Sequence, residues 1–175
     1  MKVYVVRHGQ TNSNITHVYN LETEDLNEAG VKQIEKLREK TDKLNYDLII
    51  SSPLLRAKHT TKIINFKGKR VIYDDRIKER HHGSLAGKEF SREDKDIQWN
   101  YFNKKIYGTE EKITDFAERI YKFFDELKTK DYKNVLLVTH SGVSRIIETY
   151  FNGIPEDGCL IPLGMKNGEI REYVL

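Results

Sequence analysis

At 175 residues, with 38% hydrophobic and 33% charged side chains, the chain is long enough for one domain with a substantial core and too apolar for wholesale disorder. Thirty Lys and Arg against 27 Asp and Glu leave a net charge of +3. The basic residues alternate with acids, as in Glu35-Lys36-Leu37-Arg38-Glu39-Lys40, which excludes the concentrated basic face of a nucleic-acid binder.

Cys159 is the only cysteine, so no intrachain disulfide can form. No apolar run approaches a signal-peptide core or a membrane span, and a cytoplasmic protein without membrane or nucleic-acid partners is expected.

In chain order, Lys2 to Val6 is β-branched-rich and lacks a 3.6-residue period, the pattern of a strand buried on both faces. Asn27 caps a helix that turns Val31, Ile34, Leu37 and Leu44 inward, although Gly30 weakens its first turn. Asp47 to Ser51 reads as a strand, Pro53 as the opening of the next helix, and Arg70 to Tyr73 as another strand.

From Asp74 to Tyr107 the periodicity lapses. Arg80-His81-His82-Gly83, Gly87 and a polar stretch ending in Trp99, Tyr101, Phe102 and Tyr107 form either a small loop-and-helix insertion at about 74–108 bordering a ligand pocket, or a plain connector. After Gly108, Thr109 caps a helix with Glu110 and Glu111 in its first turn and a core stripe of Ile113, Phe116, Ala117, Ile120, Phe124 and Leu127. Val135 to Thr139 is a strand, followed by a helix from about Val143 to Phe151.

Cys159 to Leu163 and Glu169 to Leu175 flank Lys166-Asn167-Gly168, which predicts two terminal strands paired through an Asn-Gly turn. The alternation predicts one three-layer α/β/α domain over residues 1–175, with a mostly parallel sheet and an antiparallel edge.

Two of these strands end in histidine, in Arg7-His8-Gly9 and Thr139-His140-Ser141-Gly142. In an open α/β sheet the carboxyl ends of the strands border the ligand crevice, so the two imidazoles can converge there. Gly9 and Gly142 would let backbone approach a ligand closely. Either histidine alone could merely hydrogen-bond at the sheet edge. The pair together with Arg7 and Arg56 points to a phosphate-sized anion, because a buried guanidinium needs an anionic partner and its planar fork suits oxyanions. Six histidines raise the question of metal, but there is no His-Glu-x-x-His element or cysteine cluster. His81-His82 has no evident third ligand, and neither metal nor cofactor is expected.

Arg7-His8-Gly9-Gln10-Thr11 with Asn14, then Ser52-Pro53-Leu54-Leu55-Arg56-Ala57, then Thr139-His140-Ser141-Gly142 resemble, in order and spacing, the motifs of the histidine phosphatase superfamily, the branch related to cofactor-dependent phosphoglycerate mutase. Asp75-Arg76-Ile77-Lys78-Glu79 is similar to the acid-bearing segment of that family. The resemblance covers almost the whole chain; where the family often has Trp-Glu-Gly, this sequence has Leu85-Ala86-Gly87, a departure that bears on substrate class.

The resemblance implies a phosphoglycerate mutase-like fold and His8 as a nucleophile that forms a transient phosphohistidine. It further implies a phosphate cradle of Arg7, Asn14, Arg56, His140 and Ser141, with His140 protonated beside the dianion. Glu79 is then the acid that protonates the leaving oxygen and later activates water, with Glu22 and Glu24 as alternatives. Gln10, Thr11, His82 and Tyr107 are candidates for contacts to the rest of the substrate; His17, His59 and His81 are assigned structural or surface roles.

The expected partner is a small-molecule phosphomonoester, with phosphate, sulfate or vanadate able to take its place, and the expected reaction is metal-independent hydrolysis. The alternatives are a phosphoglycerate mutase, for whose larger insertions and C-terminal tail 175 residues leave little room, an α-ribazole phosphate or phosphoprotein phosphatase, and a non-catalytic phosphate-binding module.

Overall fold

The β-branched runs pair into a single sheet in the computed structural model, which describes residues 1–175. Its strands are β1 (Lys2–Arg7), β2 (Leu48–Ser51), β3 (Arg70–Tyr73), β4 (Asn134–Thr139) and β5 (Ile170–Val174), in the order β3-β2-β4-β1-β5. The first four run parallel, and β5 lies antiparallel on the β1 edge. Six helices accompany them: α1 (Asn12–Thr16), α2 (Glu28–Thr41), α3 (Leu55–Ile64), α4 (Arg92–Gln98), α5 (Ile113–Leu127) and α6 (Ser141–Asn152).

Because successive strand side chains point to opposite faces, the central strands feed two cores. Val3, Val5, Leu48, Ile50, Val135 and Leu137 pack with Phe116, Phe124, Ile146 and Ile147 of α5 and α6. Tyr4, Val6, Ile49, Leu136 and Val138 pack with Ile34, Leu37, Ala57 and Ile64 of α2 and α3. Covering both faces explains the near-continuous apolar runs of β1 and β4, and gives the expected three-layer α/β architecture. No helix is long and apolar enough to cross a membrane.

Two local expectations are corrected. The α5 helix starts at Ile113 with Lys112 at its cap, later than Thr109, because the residues read as its first turn are used by the preceding loop. The Glu110 carboxylate accepts from the backbone N–H groups of Tyr107 (2.6 Å) and Gly108 (2.7 Å), and Thr109 Oγ1 accepts from Ser84 N. The C-terminal segments do not form a hairpin with each other. Residues 161–163 make a 3₁₀ turn, Cys159 bridges to Asn100, and β5 takes the open edge of β1, where backbone pairing is available.

The Asn27 cap is as expected, its side chain accepting from Gly30 N at 2.8 Å. Gly30 has a packing reason to be there: a Cβ at that position would stand 2.8 Å from Gln10 N and nearer still to Gln10 O.

Candidate active site

Parallel register brings the two histidines together. Arg7 of β1 is level with Thr139 of β4, and His8 N donates to Thr139 O at 3.0 Å. The residues that follow, His8 and His140, therefore emerge side by side, with ring centroids 5.1 Å apart. Strand β2 stops one row away, where Ser52 N donates to Val138 O and Ser52 Oγ lies 2.7 Å from His140 Nε2. Both histidines and Arg56 are buried and do not themselves line the cavity of about 340 Å³ whose wall includes Arg7, the residue before His8, Ser141, the residue after His140, and Asn14, Glu79 and His82.

His8 Nδ1 is 2.7 Å from the Gly9 carbonyl. A carbonyl oxygen only accepts, so Nδ1 carries the proton and Nε2 of the neutral ring keeps its lone pair. Burial, then the charges of Arg56 and Arg7, hold the His8 pKa well below the ordinary imidazole value. Burial and Arg56 likewise depress His140, whose Nδ1 is buried without a partner. His140 therefore favours the neutral form.

Arg7 reaches the Met165 carbonyl through Nη1 at 2.7 Å, and Arg56 reaches the Leu21 carbonyl through Nη1 at 2.9 Å. The Nε of each is buried without a partner. Neither forms a salt bridge, and burial lowers both pKa values, that of Arg7 to about 10. Two desolvated guanidiniums beside two imidazoles create a local field suited to an oxyanion. Asn14 Oδ1 accepts from Thr11 N and Asn167 Nδ2, which orients its amide with Nδ2 as the remaining donor.

Glu79 is brought in from the far side. Thr139 Oγ1 donates to the Ile77 carbonyl at 2.8 Å, and Arg119 of α5 donates to the carbonyls of Arg76, Lys78 and Glu79 while pairing with Glu111. The Glu79 carboxylate then accepts from Gly142 N at 3.1 Å and Arg80 N at 2.9 Å. Glu22 is exposed. Glu24 is engaged by Ser13 N and Asn20 Nδ2, and neither residue lines the cavity.

The other residues singled out from the sequence have protein partners of their own. Gln10 turns toward α2, its N–H donating to Gln33 and its Oε1 accepting from Asn27. Thr11 is fully buried, and its Oγ1 accepts from Asn20. Tyr107 is drawn into the loop held by Glu110 and does not line the cavity. The two glycines are also required by protein packing: a Cβ on Gly9 would stand 2.7 Å from Gly30 O, and one on Gly142 would collide with Glu79 and Trp99. His82 does line the cavity, its ring tilted against that of Tyr19 with centroids 4.8 Å apart, and burial lowers its pKa to about 4. His17, assigned a surface role, also lines it; His59 pairs with Asp25 at 2.9 Å.

Sequence reasoning missed Asn167, Trp99, Lys95 and Arg145 of the cavity wall. Asn167 donates to the carbonyls of His8 and Gly9, so the turn read as a hairpin is a brace for the nucleophile loop. Arg145 carried a readable signal, a lone cation among Val143, Ile146 and Ile147 on a buried helix.

A model of the histidine phosphatase superfamily (branch 1) matches residues 3–173. The metal-independent phosphoserine phosphatase of Arabidopsis thaliana is 32% identical over 183 residues, spanning 98% of this chain and 77% of its own. The adenosylcobalamin/alpha-ribazole phosphatase of Escherichia coli is 26% identical over 168 residues, spanning 90% and 82%. A mycobacterial glucosyl-3-phosphoglycerate phosphatase solved with VO3 has a TM-score of 0.84 and 25% identity, over 98% of this chain and 91% of that one. Strand-end histidines in register, buried arginines beside them and a match along nearly the full length lead to one assignment: the chain belongs to the histidine phosphatase superfamily, branch 1.

Proposed function

We propose that the protein hydrolyses small phosphomonoesters without a metal, through a phosphohistidine on His8. The observation that carries this reading is the His8 tautomer: Nδ1–H is committed to the Gly9 carbonyl, so Nε2 of a ring kept neutral by burial and two arginines is the free nucleophile. Its lone pair attacks phosphorus as the P–O ester bond breaks. Glu79, in its acid form, gives its proton to the departing oxygen.

Arg7, Arg56, Asn14, His140 and Ser141 hold the three remaining phosphoryl oxygens as charge redistributes. In the second step the Glu79 carboxylate takes a proton from water, whose oxygen attacks phosphorus and returns the His8 lone pair. Support for water as the acceptor, over a second hydroxyl as in a mutase, comes from relatives that are named phosphatases. The cavity of about 340 Å³ suits a small metabolite.

The test is rapid quench of the enzyme with a phosphomonoester in the presence of EDTA, followed by tandem mass spectrometry. Acid-labile phosphate on His8 is expected, together with at least ~10³-fold loss of kcat in His8→Ala. Turnover above a tenth of wild type in that variant, or phosphate on another residue, refutes the assignment.

A further inference from the structure

Arg145 of α6 is a cation whose charge the proposed chemistry does not use. It is 7% exposed, and its Cζ sits 4.2 Å from the centroid of the Trp99 ring. Its Nε is buried without a partner, and it forms no salt bridge. Arg76, Arg119 and Arg171, all more exposed, each bind a carboxylate, at 2.7, 2.6 and 2.8 Å. Arg145 is thus more desolvated than these and unpaired, an arrangement that costs stability unless a ligand supplies the anion.

Charge balance across the cavity points the same way. Arg7, Lys95, Arg145 and Lys166 line it against one carboxylate, Glu79. A phosphate dianion is matched by Arg7 and the buried Arg56, which leaves Arg145 without a counterpart. Arg145 also lies one helical turn beyond Gly142, the residue whose N–H holds Glu79. Arg145 and Glu79 line the same cavity and interact electrostatically, so with Glu79 at the leaving oxygen a group held by Arg145 lies on the organic side of the ester. Gly164 leaves the guanidinium room, since a Cβ there would stand 3.1 Å from both Cζ and Nε of Arg145.

We infer that Arg145 is a specificity-determining residue that binds a carboxylate on the organic half of the substrate, so that the preferred substrates are carboxylated phosphomonoesters. The inference rests on the phosphatase reading for the position of the ester. A guanidinium presents two parallel N–H donors to a carboxylate, while the Trp99 face supports it from behind.

The test uses substrate pairs that differ at the carboxylate: O-phosphoserine against O-phosphoethanolamine, and 3-phosphoglycerate against glycerol 3-phosphate. Wild type should favour the carboxylated member by about 10- to 100-fold in kcat/KM, chiefly through KM, the range of a hydrogen-bonded charge. In Arg145→Gln that ratio should fall toward one, while Arg145→Lys, keeping the charge without the fork, retains part of it. A wild-type ratio near one, or an Arg145→Gln variant that slows both members equally, overturns the inference and leaves the phosphatase reading standing.

A preference for fructose 1,6-bisphosphate over fructose 6-phosphate that exceeds the carboxylate preference overturns it in favour of a second phosphate. Calorimetric binding of the same pairs to His8→Ala separates the two readings. Tighter binding of O-phosphoserine than of O-phosphoethanolamine supports the Arg145 assignment even if no substrate is turned over, and equal affinities refute it.

Discussion

Gly142 offers a way to move Glu79 without changing its chemistry. A Cβ at this position would stand 2.5 Å from Trp99 Cη2, 3.0 Å from Glu79 Cδ and closer still to Glu79 Oε1. To reach the 3.4 Å of ordinary contact, the indole must retreat by about 0.9 Å, yet it is wedged against Phe116, Arg80 and Arg145. The carboxylate is the softer neighbour and is expected to swing away from Gly142 N. In stability the change is modest: overpacking costs about 1 to 3 kcal/mol, offset by up to ~1 kcal/mol of helix propensity.

Catalysis should respond more sharply, since misplacing a catalytic group by about 1 Å can cost ~10²-fold and proton donation supplies ~10²- to 10⁴-fold where it is needed. Single-turnover phosphorylation of His8 in Gly142→Ala should slow by about 10²-fold with an alkyl phosphate and by less than about tenfold with p-nitrophenyl phosphate, whose phenolate leaves without a proton. Glu79→Gln should show the same asymmetry. If both substrates slow by one factor in either variant, with the fold and vanadate binding intact, Glu79 is not the proton donor.

Arg56→Lys keeps the charge but loses the planar fork, so kcat/KM should fall by about 10- to 100-fold, or ~1.5 to 3 kcal/mol, with circular dichroism unchanged; equal rates would remove Arg56 from the phosphate site. Burial holds His8 and His140 far below their unfolded pKa of 6.5, so the unfolded chain binds protons that the folded one refuses. The contribution is then fully present above pH 6.5 and is lost as pH falls below it. Urea melts at pH 7, 6 and 5 measure this, and a flat profile contradicts the buried neutral pair. Because His140 favours the neutral form when no anion is bound, vanadate binding at pH 7 should take up a proton, seen as a dependence of the calorimetric heat on buffer ionisation enthalpy; no uptake means His140 stays neutral in the complex.

Features that depend on short-range chemistry were legible in the order of the residues. β-branched runs without helical period became β1 to β4, the Asn27 cap formed, and the stripe from Ile113 to Leu127 was buried. Histidines at two strand ends could be read as neighbours because parallel strands share a register and end together at the sheet's carboxyl edge. Where a group has several available partners, the choice among them was set by packing in three dimensions. Glu110 satisfied a loop before it could begin a helix, and β5 chose the free edge of β1 over its sequence neighbour. Gln10 and Thr11 turned to α2 and Asn20. Arg119, remote in sequence, fixed the backbone that carries Glu79. Arg145 packs on Trp99 without a salt bridge, while Glu79, the carboxylate that shares its cavity, is bound to backbone N–H groups. Such competition among partners is settled by packing in three dimensions, and residue spacing carries no record of it.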